Sequence, residues 1–360
     1  MLPLVRIWPF RAWGGPLLLL LLLLLLPVPA AAVGPAPAQT RAGEGLEELA
    51  QWPLPGAAAI AVLEANSGRM LFSMNGDTPL PPASTTKIAT ALLVLSLSED
   101  LSRLTRVSPA AAAVGESSLY LRAGEELSLA DLLAGALVHS GNDACFALAE
   151  AVAGSEPLFV HWLNMQALVL GAYSCHFCNT NGLPDDGHVI SAADLALITV
   201  QAMEQPFFAQ TVASKQVELG GGASYRYYKN TNKLLWQDGR VCGVKTGTTD
   251  AAGPCLVAAL QEGAALYISV VFDCPDRYGS SRRLLEYAAD HYMLLRPIQA
   301  GQALAWDGRQ LLYAGEEAEL FLPRQQAGRV SLRWELPHRL LFLDHRGREL
   351  KRLELTAGNV

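Results

Sequence analysis

Ser84 and Lys87 have the residue types and the spacing of a nucleophile and its base. They open an apolar run, residues 88–95, that predicts a buried helix, and Pro81 and Pro82 stand just before it. Residues three apart share one face of a helix, so the two side chains are expected to point the same way. A serine hydroxyl needs a base within hydrogen-bond reach, and a lysine can serve when burial and nearby positive charge lower its pKa. Taken alone, however, this motif is more typical of an ordinary helix start with a surface lysine.

Two further motifs change that interpretation. Ser140 opens a Ser-Gly-Asn motif, and Lys245 opens a Lys-Thr-Gly motif. Three such motifs in this order are the signature of penicillin-binding proteins and class A β-lactamases, and together they are far more specific than any one alone. The chain resembles the low-molecular-mass penicillin-binding proteins that act as serine-type D-alanyl-D-alanine carboxypeptidases. The resemblance covers roughly residues 50–295 and includes the segments 137–144, 148–150, 179–183, 191–194, 230–235 and 243–247.

The composition indicates a folded protein that does not bind nucleic acid. The chain has 360 residues, of which 51% are hydrophobic, which is enough for a large core and for two folded units. Residues 1–32 contain two arginines and no acidic residue, so the remainder has 25 basic against 34 acidic residues, a formal net charge of −9. Nucleic acid phosphates need a basic footprint, which this balance does not offer. No polybasic membrane patch is present either.

The N-terminal residues have the pattern of an export signal. Arg6 and Arg11 precede ten consecutive leucines, residues 17–26, and small residues follow. This order predicts a secretory signal peptide over residues 1–32, followed by an Ala-, Pro- and Gly-rich linker over residues 33–45. An uncleaved anchor is the alternative, although the run is shorter than the about 20 residues that span a membrane. We therefore expect an extracytoplasmic protein, in the cell wall or periplasm.

All six cysteines lie in the part expected to be exported, where disulfides are permitted. Cys145 and Cys255 lie inside apolar runs and are expected to be small core residues. Zinc binding is the other interpretation of Cys175 and Cys178, but no second pair of cysteines or histidines completes a four-ligand site. We expect these two to be structural or loosely paired, with no metal and no cofactor, and the sequence leaves all disulfide pairing open.

The order of the predicted elements indicates an α+β fold. Strands at both ends of a helix-rich region imply one antiparallel sheet with helices packed on it. The resemblance implies the same penicillin-binding/β-lactamase-like fold for the catalytic domain, which we place at residues 46–296. The predicted strands are residues 57–63, 69–74, 241–248, 255–260 and 265–272, and the predicted helices include residues 281–295 as well as much of 109–200.

The C-terminal residues 297–360 predict a small all-β domain. Residues 330–336 alternate strictly between apolar and polar, as a half-exposed strand does, and residues 340–343 and 350–355 look similar. Many members of the family carry a β-domain here, followed by an amphipathic anchor helix. The sequence shows no such helix after the last predicted strand, which leaves membrane attachment open.

The resemblance implies a substrate, a peptidoglycan stem peptide ending in D-Ala-D-Ala, and a role for each residue of the motifs. Ser84 attacks the penultimate D-Ala carbonyl, the terminal D-Ala leaves, and water hydrolyses the acyl-enzyme. Lys87 is the expected base. Ser140 relays a proton to the leaving amine, because its hydroxyl both donates and accepts. Asn142 holds the substrate amide and helps to position Lys87.

The third motif is expected to bind the substrate. Lys245 supplies positive charge that keeps Lys87 neutral and attracts the substrate carboxylate, and Thr246 offers it a hydroxyl. Gly247 leaves room for the substrate beside the strand edge. The backbone N–H groups of Ser84 and Thr248 form the expected oxyanion hole.

Two residues near the motifs are open to other interpretations. Arg277 matches a family arginine near the carboxylate site, but it fits a solvated loop arginine equally well. His139 lies beside Ser140 and suggests a serine–histidine pair. We discount that pair, since adjacent side chains usually point apart and no acid partner is evident.

Other functions remain to be weighed. Class A β-lactamases deacylate with a glutamate in a Glu-x-x-Leu-Asn segment, which is missing between Ser140 and Lys245. Penicillin is therefore expected to acylate Ser84 as a covalent inhibitor and to stay. A D,D-endopeptidase is an enzymatic alternative. A non-catalytic cell-wall or β-lactam binding module is the alternative of a different class. Such a module would be expected to have a broken motif, and all three motifs of this chain are intact.

Overall fold

The computed structural model describes residues 52–53, 56–306, 310–335 and 338–357. The predicted signal peptide, residues 1–32, and the predicted linker, residues 33–45, lie outside the described residues. So do residues 46–51, the first of the predicted catalytic domain.

The described residues form both strands and helices. The strands are β1 (Ala59–Glu64), β2 (Arg69–Met74), β3 (Leu104–Arg106), β4 (Glu126–Ser128), β5 (Cys175–His176), β6 (Val189–Ile190), β7 (Gln216–Leu219), β8 (Arg226–Lys229), β9 (Val241–Thr249), β10 (Gly253–Glu262), β11 (Ala265–Phe272), β12 (Tyr292–Ile298), β13 (Ala303–Trp306), β14 (Leu311–Ala314), β15 (Ala318–Pro323), β16 (Ser331–Glu335), β17 (Arg339–Leu343) and β18 (Glu349–Ala357). The α-helices are α1 (Lys87–Leu97), α2 (Pro109–Ala112), α3 (Leu129–Ala134), α4 (Asn142–Ala153), α5 (Glu156–Val169), α6 (Ala192–Met203), α7 (Pro206–Ala213), α8 (Arg277–His291) and α9 (Arg324–Ala327).

The main sheet joins the two ends of the catalytic region. Its strand order is β2-β1-β11-β10-β9, and every neighbouring pair is antiparallel. β1 pairs with β11, so that Ala59 lies opposite Phe272. This confirms the predicted α+β fold, with one antiparallel sheet built from both ends of the region.

β1 separates two hydrophobic cores because successive side chains of a strand point to opposite faces. Ala61 and Leu63 face the core that contains α1, whereas Ile60 and Val62 face the core that contains α8. All six residues of β1 are buried. The sheet is therefore covered by helices on both faces.

α1 is buried on all sides from Lys87 to Val94. A helix that is apolar all round belongs inside a domain rather than on its surface. This central position fixes the first motif between the sheet and the surrounding helices.

The helix predicted over residues 281–295 is wrong at both ends. α8 begins at Arg277, because the Asp276 side chain accepts a hydrogen bond from Gly279 N and caps the helix. It ends at His291, and the residues from Tyr292 onwards form β12, which pairs with β15. Strand pairing has overridden the helical pattern there.

The C-terminal region is rich in strands, as predicted. The strands form a sheet of order β13-β14-β18-β17-β16 over a core of its own. The prediction that residues 330–336 form a half-exposed strand with a buried apolar face is wrong. The strand is present as β16, but its apolar residues Leu332 and Trp334 are 58% and 49% exposed. β16 lies at the sheet edge with β17 as its neighbour, and all of its residues except Glu335 are exposed. Among the described residues, no helix is both long and apolar enough to cross a membrane.

Candidate active site

Ser84 lies in a 3-10 turn, Ala83–Thr86, that leads directly into α1. Side chains at i and i+3 eclipse in this geometry, which aligns Ser84 with Lys87. The hydroxyls of Thr85 and Thr86 donate to the carbonyls of Pro82 and Ala83 and so hold the turn. The Lys87 Nζ lies 2.8 Å from Ser84 Oγ. The two side chains are thus in hydrogen-bond contact, as their spacing predicts.

Lys87 is buried and bonded to two carbonyl oxygens besides Ser84. Its Nζ lies 2.8 Å from Asn142 Oδ1 and 2.7 Å from the backbone oxygen of Asn181. Burial lowers the pKa of Lys87 to about 8, against the opposing effect of nearby groups such as Cys145 and then Asp143. Carbonyl oxygens only accept hydrogen bonds, so they take both N–H groups of a neutral amine. The lone pair of that amine is then directed at the Ser84 hydroxyl.

The second motif lies on a turn between helices, as predicted. Ser140 has left-handed backbone angles, with φ of 73°, and separates a π-helical turn (Gly135–His139) from α4. The Asn142 side chain donates to Gly115 O at 2.9 Å, and its backbone N donates to Ser117 O at 2.7 Å. These bonds orient the amide so that its oxygen faces Lys87.

The third motif runs along β9, the edge strand of the main sheet. Lys245 is buried, and its Nζ donates to Thr246 O at 3.1 Å. Burial, and then the charge of Lys87, lowers the pKa of Lys245 well below its usual value. The hydroxyls of Thr246 and Thr231 lie 2.7 Å apart, and Thr231 N donates to Val138 O, two residues before Ser140. β9 is thereby joined to the second motif.

Gly247 allows β9 to approach the serine turn. A Cβ at this position would lie 3.0 Å from both Pro82 O and Ser84 N, which is tighter than ordinary packing allows. The glycine is therefore needed for this close approach, and the expected room for substrate at this position stays a prediction.

Arg277 is the first residue of α8, and its side chain contacts the end of β9. Its Nη1 donates to Gly247 O and to Thr248 Oγ1, each at 2.7 Å, and to Cys255 O at 3.2 Å. The nine predicted site residues thus lie on four adjoining parts of the fold, namely the serine turn with the start of α1, Ser140 with the first residue of α4, the end of β9, and the first residue of α8.

Comparisons with known proteins agree with this geometry. Residues 50–276 match the sequence profile of the D-alanyl-D-alanine carboxypeptidase family. The chain belongs to this family. D-alanyl-D-alanine carboxypeptidase DacF of Bacillus subtilis is 33% identical over 244 residues, which are 66% of this chain and 63% of that protein. DacC of Escherichia coli is 32% identical over 300 residues, 79% of this chain and 74% of the relative.

Solved structures show the same fold. The crystal structure of penicillin binding protein 6B from Escherichia coli superposes with a TM-score of 0.74 at 26% identity, over 86% of this chain and 98% of that one. The chain spans 63% of the length of its Bacillus relative. The comparisons support the predicted serine carboxypeptidase and do not favour the endopeptidase or the non-catalytic module.

Two features of this family member's site were not assigned by sequence reasoning. Asp143 is buried and accepts hydrogen bonds from Ser118 Oγ at 2.7 Å and from the backbone N of Leu119 and Leu121 at 3.0 and 3.1 Å. Asp143 thereby anchors the loop of residues 115–121, in which the carbonyls of Gly115 and Ser117 accept hydrogen bonds from Asn142. An acidic residue inside the apolar run after Ser140 was the signal that could have found it.

The other feature is the segment around Asn181, for which the sequence predicts a family resemblance but no role. The backbone oxygen of Asn181 binds Lys87, and the carbonyl of Thr180 accepts the Thr90 hydroxyl. Gly182 has φ of +86°, and a Cβ there would overlap Ala83 O. A backbone carbonyl has no sequence signature, so only the fold reveals it.

The cysteines of the described residues carry free thiols. Cys145 and Cys255 lie in the core, as predicted. Among the residues that the structure describes, no group of His, Cys, Asp or Glu could hold a metal ion. His139 stacks on Tyr228, with ring centroids 4.1 Å apart.

Proposed function

We propose that this protein is a serine-type D-Ala-D-Ala carboxypeptidase that removes the terminal D-alanine of peptidoglycan stem pentapeptides through a Ser84 acyl-enzyme. The observation that carries the proposal is the 2.8 Å contact between Ser84 Oγ and the Nζ of Lys87, a buried amine whose pKa is about 8. A base is most effective when its pKa lies near the working pH. This pair therefore supplies an activated serine without a histidine.

Acylation begins when neutral Lys87 takes the proton of the Ser84 hydroxyl. The serine oxygen bonds to the penultimate D-Ala carbonyl carbon, and the carbonyl oxygen becomes an oxyanion. Ser140 passes the proton on to the departing nitrogen as the C–N bond breaks, and free D-alanine leaves. Lys87 and Ser140 are the proposed proton carriers because Asn142 joins their two motifs by its bond to Lys87.

The substrate is held along β9. The close approach at Gly247 places Ser84 N beside this strand, which supports an oxyanion hole formed by the N–H groups of Ser84 and Thr248. One such donor stabilises a transition state by about 3–4 kcal/mol. Lys245, Thr246 and Arg277 are the proposed partners of the terminal carboxylate, because each lies on or against the same stretch of β9.

Deacylation transfers the acyl group to water and restores Ser84. A β-lactam acylates the same serine, but its amine stays attached after ring opening and no leaving group departs, so the adduct persists.

Since the substrate belongs to the cell wall, the proposal places the protein outside the cytoplasm, in keeping with the signal peptide predicted over residues 1–32. Cell-wall peptides and β-lactams are the proposed partners.

The test is D-alanine release from a synthetic pentapeptide by purified residues 33–360, with and without penicillin, beside Ser84→Ala. The proposal expects release that both penicillin and the substitution abolish. A stable penicillin adduct without release would point instead to an endopeptidase or a binding module. If the protein neither releases D-alanine nor forms a penicillin adduct, the proposal is overturned.

A further inference from the structure

One of the hydrogen bonds that hold the Lys87 amine involves a backbone group, the carbonyl oxygen of Asn181 at 2.7 Å. A backbone carbonyl turns only with its peptide group, so its direction depends on how the neighbouring residues are held. Thr180, the residue before it, is buried, and its own carbonyl accepts the Thr90 hydroxyl at 2.7 Å. Lys87 and Thr90 lie three residues apart, on one face of α1. Two successive carbonyls are therefore bonded to the helix that carries the base.

Glu156 holds Thr180 by two hydrogen bonds. Its Oε1 accepts from the backbone N of Thr180 at 3.1 Å and from the Thr180 hydroxyl at 2.7 Å. Hydrogen bonds to a carboxylate are about twice as strong as those between neutral groups. Together the two bonds fix both the backbone and the side chain of the residue that immediately precedes the carbonyl of Asn181.

The Glu156 carboxylate is carried by a well-packed helix. Glu156 is the first residue of α5, and the Ser155 side chain caps this helix. The N-terminus of a helix stabilises a negative charge. α5 packs against α1 and α4, and its residues Phe159 and Leu163 are buried in the same core as α1. The position of the carboxylate is thus fixed relative to the helix that carries Lys87.

The other side of Asn181 is held without Glu156. Gly182 N donates to Asn179 Oδ1 at 2.8 Å, and Gly182 lies directly against Ala83 O. Only the side that precedes the Asn181 carbonyl therefore depends on the Glu156 carboxylate. Removing this carboxylate is expected to free one side of the segment while the other stays in place.

We infer that Glu156 is a positioning residue of the acylation step: by holding Thr180, it directs the next carbonyl of the chain at the Lys87 amine. The inference rests on the proposed role of Lys87 as the base and adds the residue that keeps a partner of that base in place. When this carbonyl is displaced, the amine loses one of its fixed acceptors and turns more freely. Its lone pair then faces the Ser84 hydroxyl in a smaller fraction of the molecules.

The test measures acylation of Ser84 by a fluorescent penicillin in stopped-flow experiments on the mature enzyme, residues 33–360. The dependence on penicillin concentration separates the limiting rate from the half-saturating concentration. Glu156→Ala is expected to lower the limiting rate about tenfold and to leave the half-saturating concentration unchanged, because a small misplacement of a catalytic group slows the chemical step. Glu156→Gln keeps an acceptor oxygen for both Thr180 donors, so its limiting rate is expected to stay within about threefold of that of the unmodified enzyme.

Thr180→Val tests the same path with a side chain of nearly the same shape. It removes the hydroxyl donor and keeps the backbone N–H, so a fall of about threefold in the limiting rate is expected. Since the two residues act through one contact, the double variant Glu156→Ala/Thr180→Val is expected to react as slowly as Glu156→Ala alone. Effects that multiply would show that Glu156 acts independently of Thr180 and would overturn the inference. An unchanged rate in Thr180→Val would overturn it even if Glu156→Ala does not fold.

Asp131→Ala is the matched control. Asp131 also lies in the first turn of a helix, α3, and its Oδ2 accepts from the Ser128 hydroxyl at 2.8 Å, but it has no bond to the segment that contacts Lys87. Its loss is expected to lower the melting temperature and to leave the limiting rate per labelled molecule unchanged. An equal loss of rate in Asp131→Ala would reduce Glu156 to a structural residue and overturn the inference.

The remaining outcomes separate the inference from the proposed function. An unchanged limiting rate in Glu156→Ala, or a rate in Glu156→Gln as slow as in Glu156→Ala, would overturn the positioning role and leave the carboxypeptidase proposal standing. Failure of penicillin to acylate the unmodified enzyme, together with no D-alanine release, would overturn the carboxypeptidase proposal and the inference with it.

Discussion

The pH dependence of Ser84 acylation tests how Lys87 acts. Only the neutral amine can take the serine proton, so acylation is expected to accelerate as pH rises through the pKa of Lys87, which burial lowers to about 8. A base with that pKa is about 9% neutral at pH 7 and about 91% neutral at pH 9. The acylation rate is therefore expected to rise about tenfold over this interval and then to level off.

An unperturbed lysine behaves differently. With its pKa of about 10.4, the neutral fraction grows about a hundredfold between pH 7 and pH 9 and continues to grow beyond. The assay is the second-order rate of acylation by a fluorescent penicillin from pH 6 to pH 10, with the rate of a folded Lys87→Arg variant as control. Arginine stays protonated in this range, so the control is expected to be slow and to lack the inflection.

The charge of Asp143 supplies a second arm of the same experiment. Its carboxylate raises the pKa of Lys87, so the neutral variant Asp143→Asn is expected to move the inflection to lower pH. A purely structural role for Asp143 would change the rate at every pH and leave the inflection in place. A rate that climbs without an inflection up to pH 10 would refute the account of Lys87 as a base prepared by burial.

Further predictions concern the residues around this pair. Gly182→Ala is expected to lower the free energy of unfolding by more than about 2 kcal/mol in urea titrations, because the left-handed backbone disfavours a side chain and Ala83 O blocks its Cβ. Gly154→Ala is its control: φ is +81° there too but the space is open, so about 1 kcal/mol is expected, and equal losses would contradict the steric argument. Asn142→Ala is expected to reduce kcat/KM for D-alanine release about 10- to 100-fold, since Lys87 loses an acceptor and Gly115 O loses its donor. An unchanged kcat/KM would show that Asn142 does not position the base.

The sequence was sufficient for those parts of the fold that depend on local pattern. Strand-like segments at both ends of a helix-rich region predicted one antiparallel main sheet, because such strands can pair only with one another. The motifs that begin at Ser84, Ser140 and Lys245 predicted one site, because together they resemble the signature of penicillin-binding proteins. The sheet confirms the first prediction, since β1 and β11 are neighbours.

Features that depend on contacts distant in sequence could not be predicted in this way. The carbonyl of Asn181 that binds Lys87 is common to every residue type, and its role comes from position alone. The end of α8 at His291 depends on the pairing of β12 with a strand that follows it. The exposure of Trp334 depends on the edge position of β16, which a strand's own alternation does not reveal.

The most direct test of the central claim is to locate the covalent adduct. After reaction with penicillin, intact-mass spectrometry and peptide mapping are expected to show one acyl group, carried by Ser84, and none in Ser84→Ala. The same serine is expected to carry the acyl group of a pentapeptide when the reaction is quenched early in acid. Labelling of any other residue, or full D-alanine release by Ser84→Ala, would contradict the account.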